Sequence, residues 1–180
     1  MHFVVDVEAD GPCPSLFSMV SFAAVAVPKS LDPKDIDIKH SFFAELKPLP
    51  DASYQEAALK ACNLTRSQTL GFAEPAKVMQ DFEKWLGGFG EDRLTFWSDN
   101  NGFDWSFVNW YFHRFCERNP FGFSSRRIGD LYAGASRNVS AASRWKSLRQ
   151  TEHTHHPLDD AKGNVEAMCL FMRRSNLRLP

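Results

Sequence analysis

The sequence predicts an α/β fold in which helices cover the faces of a mixed β-sheet. Three apolar segments rich in Val, Phe and Ala open the chain, and turn-forming residues separate them. In the remainder of the chain, strand-like segments alternate with segments of helical periodicity. A meander of consecutive strands followed by this alternation is typical of a sheet with both antiparallel and parallel neighbours.

The opening meander is predicted from the first part of the chain. The run HFVVDVE (2–8) predicts the first strand, and a loop containing Gly and Pro over 10–15 ends it. The second strand is predicted over 16–28 and the third over 41–49, with a turn region over 29–39 between them. We expect these three segments to pair as consecutive strands of one sheet.

Helical patterns begin after the meander. The segment 53–63 has Ser53 as a candidate N-cap with Glu56 three residues later, and this pair predicts a capping box. A second helix is predicted over 74–88, where a Gly-Gly pair would end it. Its apolar positions at helical spacing are Val78, Phe82 and Trp85.

The second half of the chain continues the alternation. The run RLTFWSD (93–99) predicts a buried strand, and 103–118 predicts a helix that Asn119-Pro120 would end. A short strand, or a passage from strand to helix, is predicted over 126–135. The last helix is predicted over 158–175. Its apolar stripe consists of Leu158, Ala161, Val165, Met168 and Met172.

Length and composition indicate a single domain, 1–180, with a sizeable core, since 43% of the 180 residues are hydrophobic. The net charge is only −1, but acidic residues dominate the start and basic residues the last third. This asymmetry suits contact with a nucleic-acid backbone, and equally an ordinary solvated surface. The four cysteines are widely spaced, and no apolar stretch is long enough to span a bilayer. We therefore expect a cytoplasmic protein without a zinc ribbon, a disulfide framework or a membrane contact.

Asp6 and Glu8 stand two residues apart in the first predicted strand, so they share one of its faces. The pattern D-x-E is common by chance, and an exposed strand end would explain it. The flanking valines indicate instead a central strand that is buried on both faces. Two carboxylates there would repel each other and lose hydration, and a bound cation would keep both ionised.

Further candidates lie at the predicted starts of two helices. Asp104 follows a strand and opens a helix, and α/β sheets gather ligands and catalytic groups at such positions. In HTHHPLDDAKGN (153–164), Pro157 fits the first helical position, Asp160 lies in the first turn and His155 on the preceding loop. Each carboxylate has an alternative role as a first-turn residue beside the helix dipole. Asp160 is also a candidate metal ligand, and His155 on the loop would then lie over the substrate.

In this order the motifs resemble those of the DEDDh exonucleases, a branch of the ribonuclease-H-like superfamily. The D-x-E motif matches Asp6 and Glu8, the N-x-x-F-D-x-x-F motif contains Asp104, and the H-x-A-x-x-D-A motif contains His155 and Asp160. The other matched positions are Asn100, Phe103, Phe107 and Ala161. The resemblance spans nearly the whole chain. It implies a ribonuclease-H-like fold and a 3′–5′ exonuclease that hydrolyses single-stranded RNA or DNA.

The resemblance also implies a role for each residue. The metal ligands would be Asp6, Glu8, Asp104 and Asp160, which would hold two Mg²⁺ or Mn²⁺ ions. His155 would be the general base that takes a proton from the attacking water. His153 and His156 are alternatives for the base, because a shift of one residue in a loop is invisible in sequence. Departures from the family pattern at Asn101 and Pro157 affect the expected seating of the substrate more than the chemistry.

Contacts with nucleic acid are expected from Asn100 and Phe103 of the second motif and from basic residues before the histidines. These basic residues are Arg144, Lys146 and Arg149, which could also be ordinary surface charges. Trp97, Trp105 and Trp145 could stack on bases or lie in the core. The resemblance allows a homodimer. Two other functions stay open: an inactive nucleic-acid-binding module of the same fold, and a phosphodiesterase for short oligonucleotides.

Overall fold

The computed structural model describes residues 1–90 and 93–179, and these residues form a five-stranded mixed sheet with helices on both faces. The strands are β1 (His2–Ala9), β2 (Met19–Ala26), β3 (Phe42–Glu45), β4 (Thr95–Ser98) and β5 (Ser125–Arg127). Their spatial order is β3-β2-β1-β4-β5. β2 is antiparallel to both β1 and β3, whereas β4 is parallel to both β1 and β5. The predicted α/β class and its opening meander are confirmed.

Helices follow the meander and then alternate with the strands. They are α1 (Glu56–Ala61), α2 (Arg66–Thr69), α3 (Pro75–Gly87), α4 (Asn101–Phe115), α5 (Ile128–Ala135) and α6 (Pro157–Arg174). Short 3₁₀ helices cover Pro33–Asp35, Ile38–His40, Val139–Ala141 and Arg144–Leu148. The predicted passage from strand to helix over 126–135 is confirmed, because β5 leads directly into α5. Within the described ranges, no helix has the length and apolar character needed to cross a membrane.

The sheet separates two hydrophobic cores. On one face, Val5 of β1 shares a core with Phe82 of α3 and Phe112 of α4. On the other face, Val4 of β1 shares a core with Val165 of α6. Successive residues of β1 therefore point alternately toward the α3–α4 side and the α6 side. Burial of each such aliphatic or aromatic side chain stabilises the fold by about 1.5–3 kcal/mol.

The predicted capping box between Ser53 and Glu56 is wrong. α1 begins at Glu56 after Gln55, whose side chain makes no capping hydrogen bond. The backbone N–H groups of Ser53 and Gln55 donate instead to the carbonyl oxygens of Leu16 (2.9 Å) and Asp10 (2.8 Å). These bonds hold the segment extended against the loop that follows β1, so the helix starts two residues later than its local signal predicts.

Candidate active site

β1 presents Asp6 and Glu8 to the face of the sheet that α6 covers. The intervening Val7 belongs to the core under α3 and α4, so strand alternation turns the two carboxylates to the opposite face. Both acidic residues are partly buried. Their partners on β2 are the small residues Ala23 and Ser21.

α6 brings Asp160 to the same place from the other end of the chain. Asp160 lies in the first turn of α6 and is 1% exposed. One carboxylate oxygen from each of Asp6, Glu8 and Asp160 lies within 4.8 Å of the others. We call these three residues the acidic cluster.

Asp104 lies in the first turn of α4 and is 3% exposed. Burial raises the pKa of its carboxyl group well above the usual range, and hydrogen bonds with Ser98 and the backbone of Val7 lower it only in part. Its Oδ2 atom is buried without a hydrogen-bond partner. Among the described residues, its oxygens are not part of the 4.8 Å group formed by the acidic cluster. A buried carboxylate oxygen without a partner lowers the stability of the fold, and a bound cation would supply the missing partner.

Repulsion and burial dominate the electrostatics of the site. The pKa of Asp6 is raised well above its usual range, first by burial and then by the charges of Asp104, Glu8 and Asp160, whereas Arg149 lowers it. The pKa of Glu8 is also raised, mainly by burial. Crowded carboxylates of this kind either hold protons or bind cations. Their oxygen donors fit hard divalent cations such as Mg²⁺ or Mn²⁺.

Sequence reasoning missed Cys62, whose thiol donates a hydrogen bond to Oε2 of Glu8 at 3.0 Å. The same sulfur lies 3.2 Å from the carbonyl oxygen of Ala58 in α1, which fixes its position. The hydrogen bond lowers the pKa of Glu8 in part, and burial raises the pKa of the thiol. No motif connects two positions so far apart in sequence, so only the fold shows this contact.

The three histidines before α6 lie on residues 153–156, which we call the His loop. The loop turns sharply at His155, whose φ is +58°. The backbone N–H groups of Thr154 and His155 donate to the Asp160 carboxylate, both at 3.1 Å. This anchoring holds the His155 ring beside the acidic cluster, with Nδ1 3.8 Å from Oε1 of Glu8.

The other two histidines face different neighbours. Nδ1 of His153 lies 2.8 Å from Oδ1 of Asp160, and its ring centroid is 4.3 Å from that of His155. His156 stacks on the ring of Phe43 in β3, with centroids 4.8 Å apart. His155 is therefore the histidine of this loop that approaches Glu8.

The basic residues before the His loop differ in their surroundings. Arg144 is exposed. Lys146 is also exposed, but its Nζ atom pairs with Oδ2 of Asp99 at 2.5 Å. The side chain of Arg149 is only 10% exposed and donates a hydrogen bond to Asn164 of α6. Arg144 is thus the most accessible of the three to a phosphate, and Arg149 packs against the last helix.

The aromatic residues that were candidates for contact with bases differ in their burial. Trp97 and Trp145 are buried, so the alternative that they stack on bases is wrong, and they belong to the core. Phe103 is partly buried against Phe107, with ring centroids 4.9 Å apart. Asn100 is exposed at the N-terminus of α4, next to the turn that carries Asp104.

A family of nucleases matches nearly the whole chain. Residues 1–172 match the family described as the Rv2179c-like 3′–5′ exoribonuclease domain. The chain belongs to this family of hydrolytic 3′–5′ exonucleases.

The chain is also similar to particular exonucleases in sequence or in structure. The 3′–5′ DNA exonuclease Cap18 of Escherichia coli is 30% identical over 184 residues, which cover 95% of this chain and 91% of that protein. The nuclease domain of 3′hExo, a DEDDh family member bound to rAMP, matches at a TM-score of 0.72 and 14% identity, over 99% of this chain and 95% of that one. E. coli Exonuclease I in complex with a dA16 oligonucleotide matches at a TM-score of 0.74 and 18% identity.

The Exonuclease I match covers 96% of this chain but 41% of that chain, so the protein spans about two fifths of Exonuclease I. At these identities the structural likenesses show the fold. That fold is ribonuclease-H-like, as the sequence motifs predict.

Proposed function

We propose that the chain removes nucleotides from the 3′ end of single-stranded nucleic acid with the help of two divalent cations, Mg²⁺ or Mn²⁺. Asp6, Glu8, Asp104 and Asp160 would hold the cations, and His155 would be the general base. The observation that carries the proposal is the convergence of the acidic cluster with the ring of His155. Membership of a 3′–5′ exonuclease family supports it.

The chemistry assigned to the site follows from its residues. Bound cations would stabilise the charge that develops on the attacking and leaving oxygens of a phosphodiester. The Nδ1 atom of His155 faces Glu8, which leaves Nε2 on the far side of the ring to accept a proton from water. Histidine suits this role because it gains and loses protons near neutral pH.

Single strands are the proposed substrate because the acidic cluster is largely enclosed between the sheet and the first turn of α6. The last phosphate of a duplex would have to separate from its partner strand before it could reach this position. The complex of Exonuclease I with a dA16 oligonucleotide supports this choice by analogy of fold.

The experiment uses matched RNA and DNA strands of one sequence, labelled at the 5′ end, with Mg²⁺, Mn²⁺ or EDTA. Asp160→Asn removes a member of the acidic cluster, and Asp159→Asn changes its neighbour in the same turn as a control. We expect stepwise shortening from the 3′ end that EDTA and Asp160→Asn abolish and that Asp159→Asn retains. Retained shortening in Asp160→Asn would contradict the proposed site.

The lengths of the labelled products also distinguish the alternative functions. Binding of the strand without any shortening would indicate an inactive module, and cleavage of dinucleotides alone would indicate a phosphodiesterase for short oligonucleotides. Comparison of the RNA and DNA strands also shows which sugar the enzyme prefers. The family is described as exoribonucleases and the E. coli relative as a DNA exonuclease, so both strands are needed.

The free thiol at the site supports a reducing compartment, which we propose to be the cytoplasm. Cys62 is unpaired and contacts Glu8 at 3.0 Å. Oxidation of this sulfur would add bulk and charge beside a proposed metal ligand. Fractionation of cells followed by detection of the protein measures its location.

A further inference from the structure

A second group of donor atoms lies beside the acidic cluster. One donor atom from each of His153, His155 and Asp160 lies within 4.8 Å of the others. We call these three residues the imidazole cluster. It shares Asp160 with the acidic cluster, but two of its three donors are imidazole nitrogens.

The backbone of the His loop holds the imidazole cluster together. The positive φ of His155 reverses the chain between the two rings and α6. The Asp160 carboxylate accepts hydrogen bonds from the N–H groups of Thr154 and His155, which fixes the loop over that carboxylate. The two rings are therefore held on the same side as Asp160, with their centroids 4.3 Å apart.

Exposure of the rings leaves this cluster accessible from solvent. The side chains of His153 and His155 are 51% and 48% exposed, whereas the Asp160 side chain is buried. A cation held by the three donors would keep one side open to water. Nδ1 of His153 and Oδ1 of Asp160 are 2.8 Å apart, close to the separation of about 3.3 Å that tetrahedral bonds of about 2.0–2.1 Å require.

We propose that the imidazole cluster binds Zn²⁺ and that Zn²⁺ bound there inhibits the nuclease. Two imidazoles and one carboxylate, with an open fourth position, are a ligand set that zinc prefers. Mg²⁺ prefers oxygen ligands and octahedral geometry, so it competes poorly for this cluster. The acidic cluster has the opposite preference because all its donors are oxygens.

Inhibition rests on the proposed function, since it requires His155 as the base and Asp160 as a ligand of the catalytic cations. A zinc ion on the imidazole cluster would occupy a nitrogen of His155 and an oxygen of Asp160. The base and one carboxylate would then both be withdrawn from the reaction. Binding of zinc itself does not depend on the proposed function.

Binding is measured first, on the full chain without nucleic acid. Metal-free protein is titrated with Zn²⁺ against a chromogenic chelator, and folding of each variant is checked by circular dichroism. His153→Ala removes a donor of the imidazole cluster, and the control His113→Ala changes an exposed histidine in the last turn of α4, outside the His loop. Changes even to outer partners of metal ligands alter affinity by about 10–100-fold, so we expect His153→Ala to weaken zinc binding by at least about tenfold. His113→Ala should bind zinc as the wild type does.

Glu8→Gln distinguishes the two clusters. This change removes an oxygen donor from the acidic cluster and leaves the imidazole cluster intact, so zinc affinity should be retained. X-ray absorption of the zinc-loaded wild type should show imidazole scattering from two histidines, and this measurement does not depend on the folding of any variant. Zinc bound without imidazole ligands, equal binding by His153→Ala, or absence of zinc binding to the wild type would each overturn the proposal.

Inhibition is measured second, as the Zn²⁺ concentration that halves the Mg²⁺-dependent activity of each variant relative to its own maximum. We expect this concentration to rise at least about tenfold in His153→Ala, in parallel with its loss of affinity, and to stay unchanged in His113→Ala. Zinc binding to an inactive wild type would contradict the proposed nuclease and retain the zinc site. An active nuclease that does not bind zinc would retain the proposed function and overturn the zinc site.

Discussion

Asp104 combines a buried carboxylate with an Oδ2 atom that has no hydrogen-bond partner. Its pKa and that of Asp6 are raised above the usual range, chiefly by burial. An aspartate with a raised folded pKa contributes most stability below its unfolded pKa of about 3.9, and this contribution is lost as pH rises through the folded value. At neutral pH these carboxylates therefore destabilise the metal-free protein.

We predict that the free energy of unfolding of the EDTA-treated protein falls as pH rises from about 4 through the raised pKa values. Asp104→Asn should flatten this dependence and should lower nuclease activity by more than about 100-fold, since changes to outer partners of a metal already cost about 10–100-fold. Urea denaturation at several pH values measures the first effect. Asp81→Asn, an exposed residue paired with Lys77, is the control. An unchanged pH dependence in Asp104→Asn would be evidence against buried repulsion.

Cys62 supports Glu8 through a single hydrogen bond. We predict that Cys62→Ala lowers activity by about 10–100-fold, as expected for an outer partner of a metal ligand, and that Cys62→Ser, which keeps a donor, retains more of it. Steady-state kinetics over a range of Mg²⁺ concentrations measure both variants. Cys13→Ala is the matched control, since this half-buried cysteine is also free. Equal activity in Cys62→Ala and the wild type would show that the thiol has no role.

At the scale of elements, β3 and the His loop meet through one aromatic contact. Asp6, Ala23 and Phe43 are neighbours across β1, β2 and β3, and the ring of Phe43 stacks on His156. The edge strand therefore holds the loop that carries His155. This contact lies on the same face of the sheet as Asp6 because paired residues across a sheet point to the same side.

We predict that Phe43→Ala lowers kcat by about 2–10-fold, which corresponds to an aromatic contact of about 0.5–1.5 kcal/mol. His156→Ala should have a similar effect, and the double variant should lose no more than either single one, because both remove the same contact. Phe123→Ala, at a side chain that is exposed to solvent, is the control. Additive losses in the double variant would contradict this positioning role.

Long amphipathic elements are predictable from sequence, and short ones fixed by tertiary hydrogen bonds are not. α3 and α6 lie within one residue of their predicted bounds at each end, since their apolar stripes extend over several turns. α1 shows the opposite case, because the N–H groups of Ser53 and Gln55 bond to distant carbonyls. These tertiary hydrogen bonds override the local capping signal at Ser53, and no capping box forms.

In the candidate site, too, residues in sequence motifs are predictable and contacts made only by the fold are not. Asp6, Glu8 and Asp160 could be proposed together because their spacing matches one motif order, and the fold brings them within 4.8 Å. Their ligand roles stay predictions. The contact of Cys62 with Glu8 depends on how distant elements meet, and no local pattern encodes it.

At the scale of the whole molecule, the proposed contacts with the nucleic-acid backbone lie in the basic last third of the chain. We predict that Arg144→Ala reduces the slope of log affinity against log salt for a single strand by about 0.7, the value for one lost phosphate contact. Fluorescence anisotropy with Ca²⁺ in place of Mg²⁺ measures the slope. Lys77→Ala, an exposed lysine on α3 paired with Asp81, should leave the slope unchanged. An unchanged slope in Arg144→Ala would make this arginine an ordinary surface charge.

The acidic cluster joins the first strand to the last helix, and this has a consequence during protein synthesis. β1 leaves the ribosome early with Asp6 and Glu8, whereas Asp160 and His155 leave only when α6 is made. A nascent chain therefore lacks at least two of the five residues of the proposed site until α6 is made. If RNA is the substrate, the chain being synthesised cannot degrade its own messenger before the final helix folds onto the sheet.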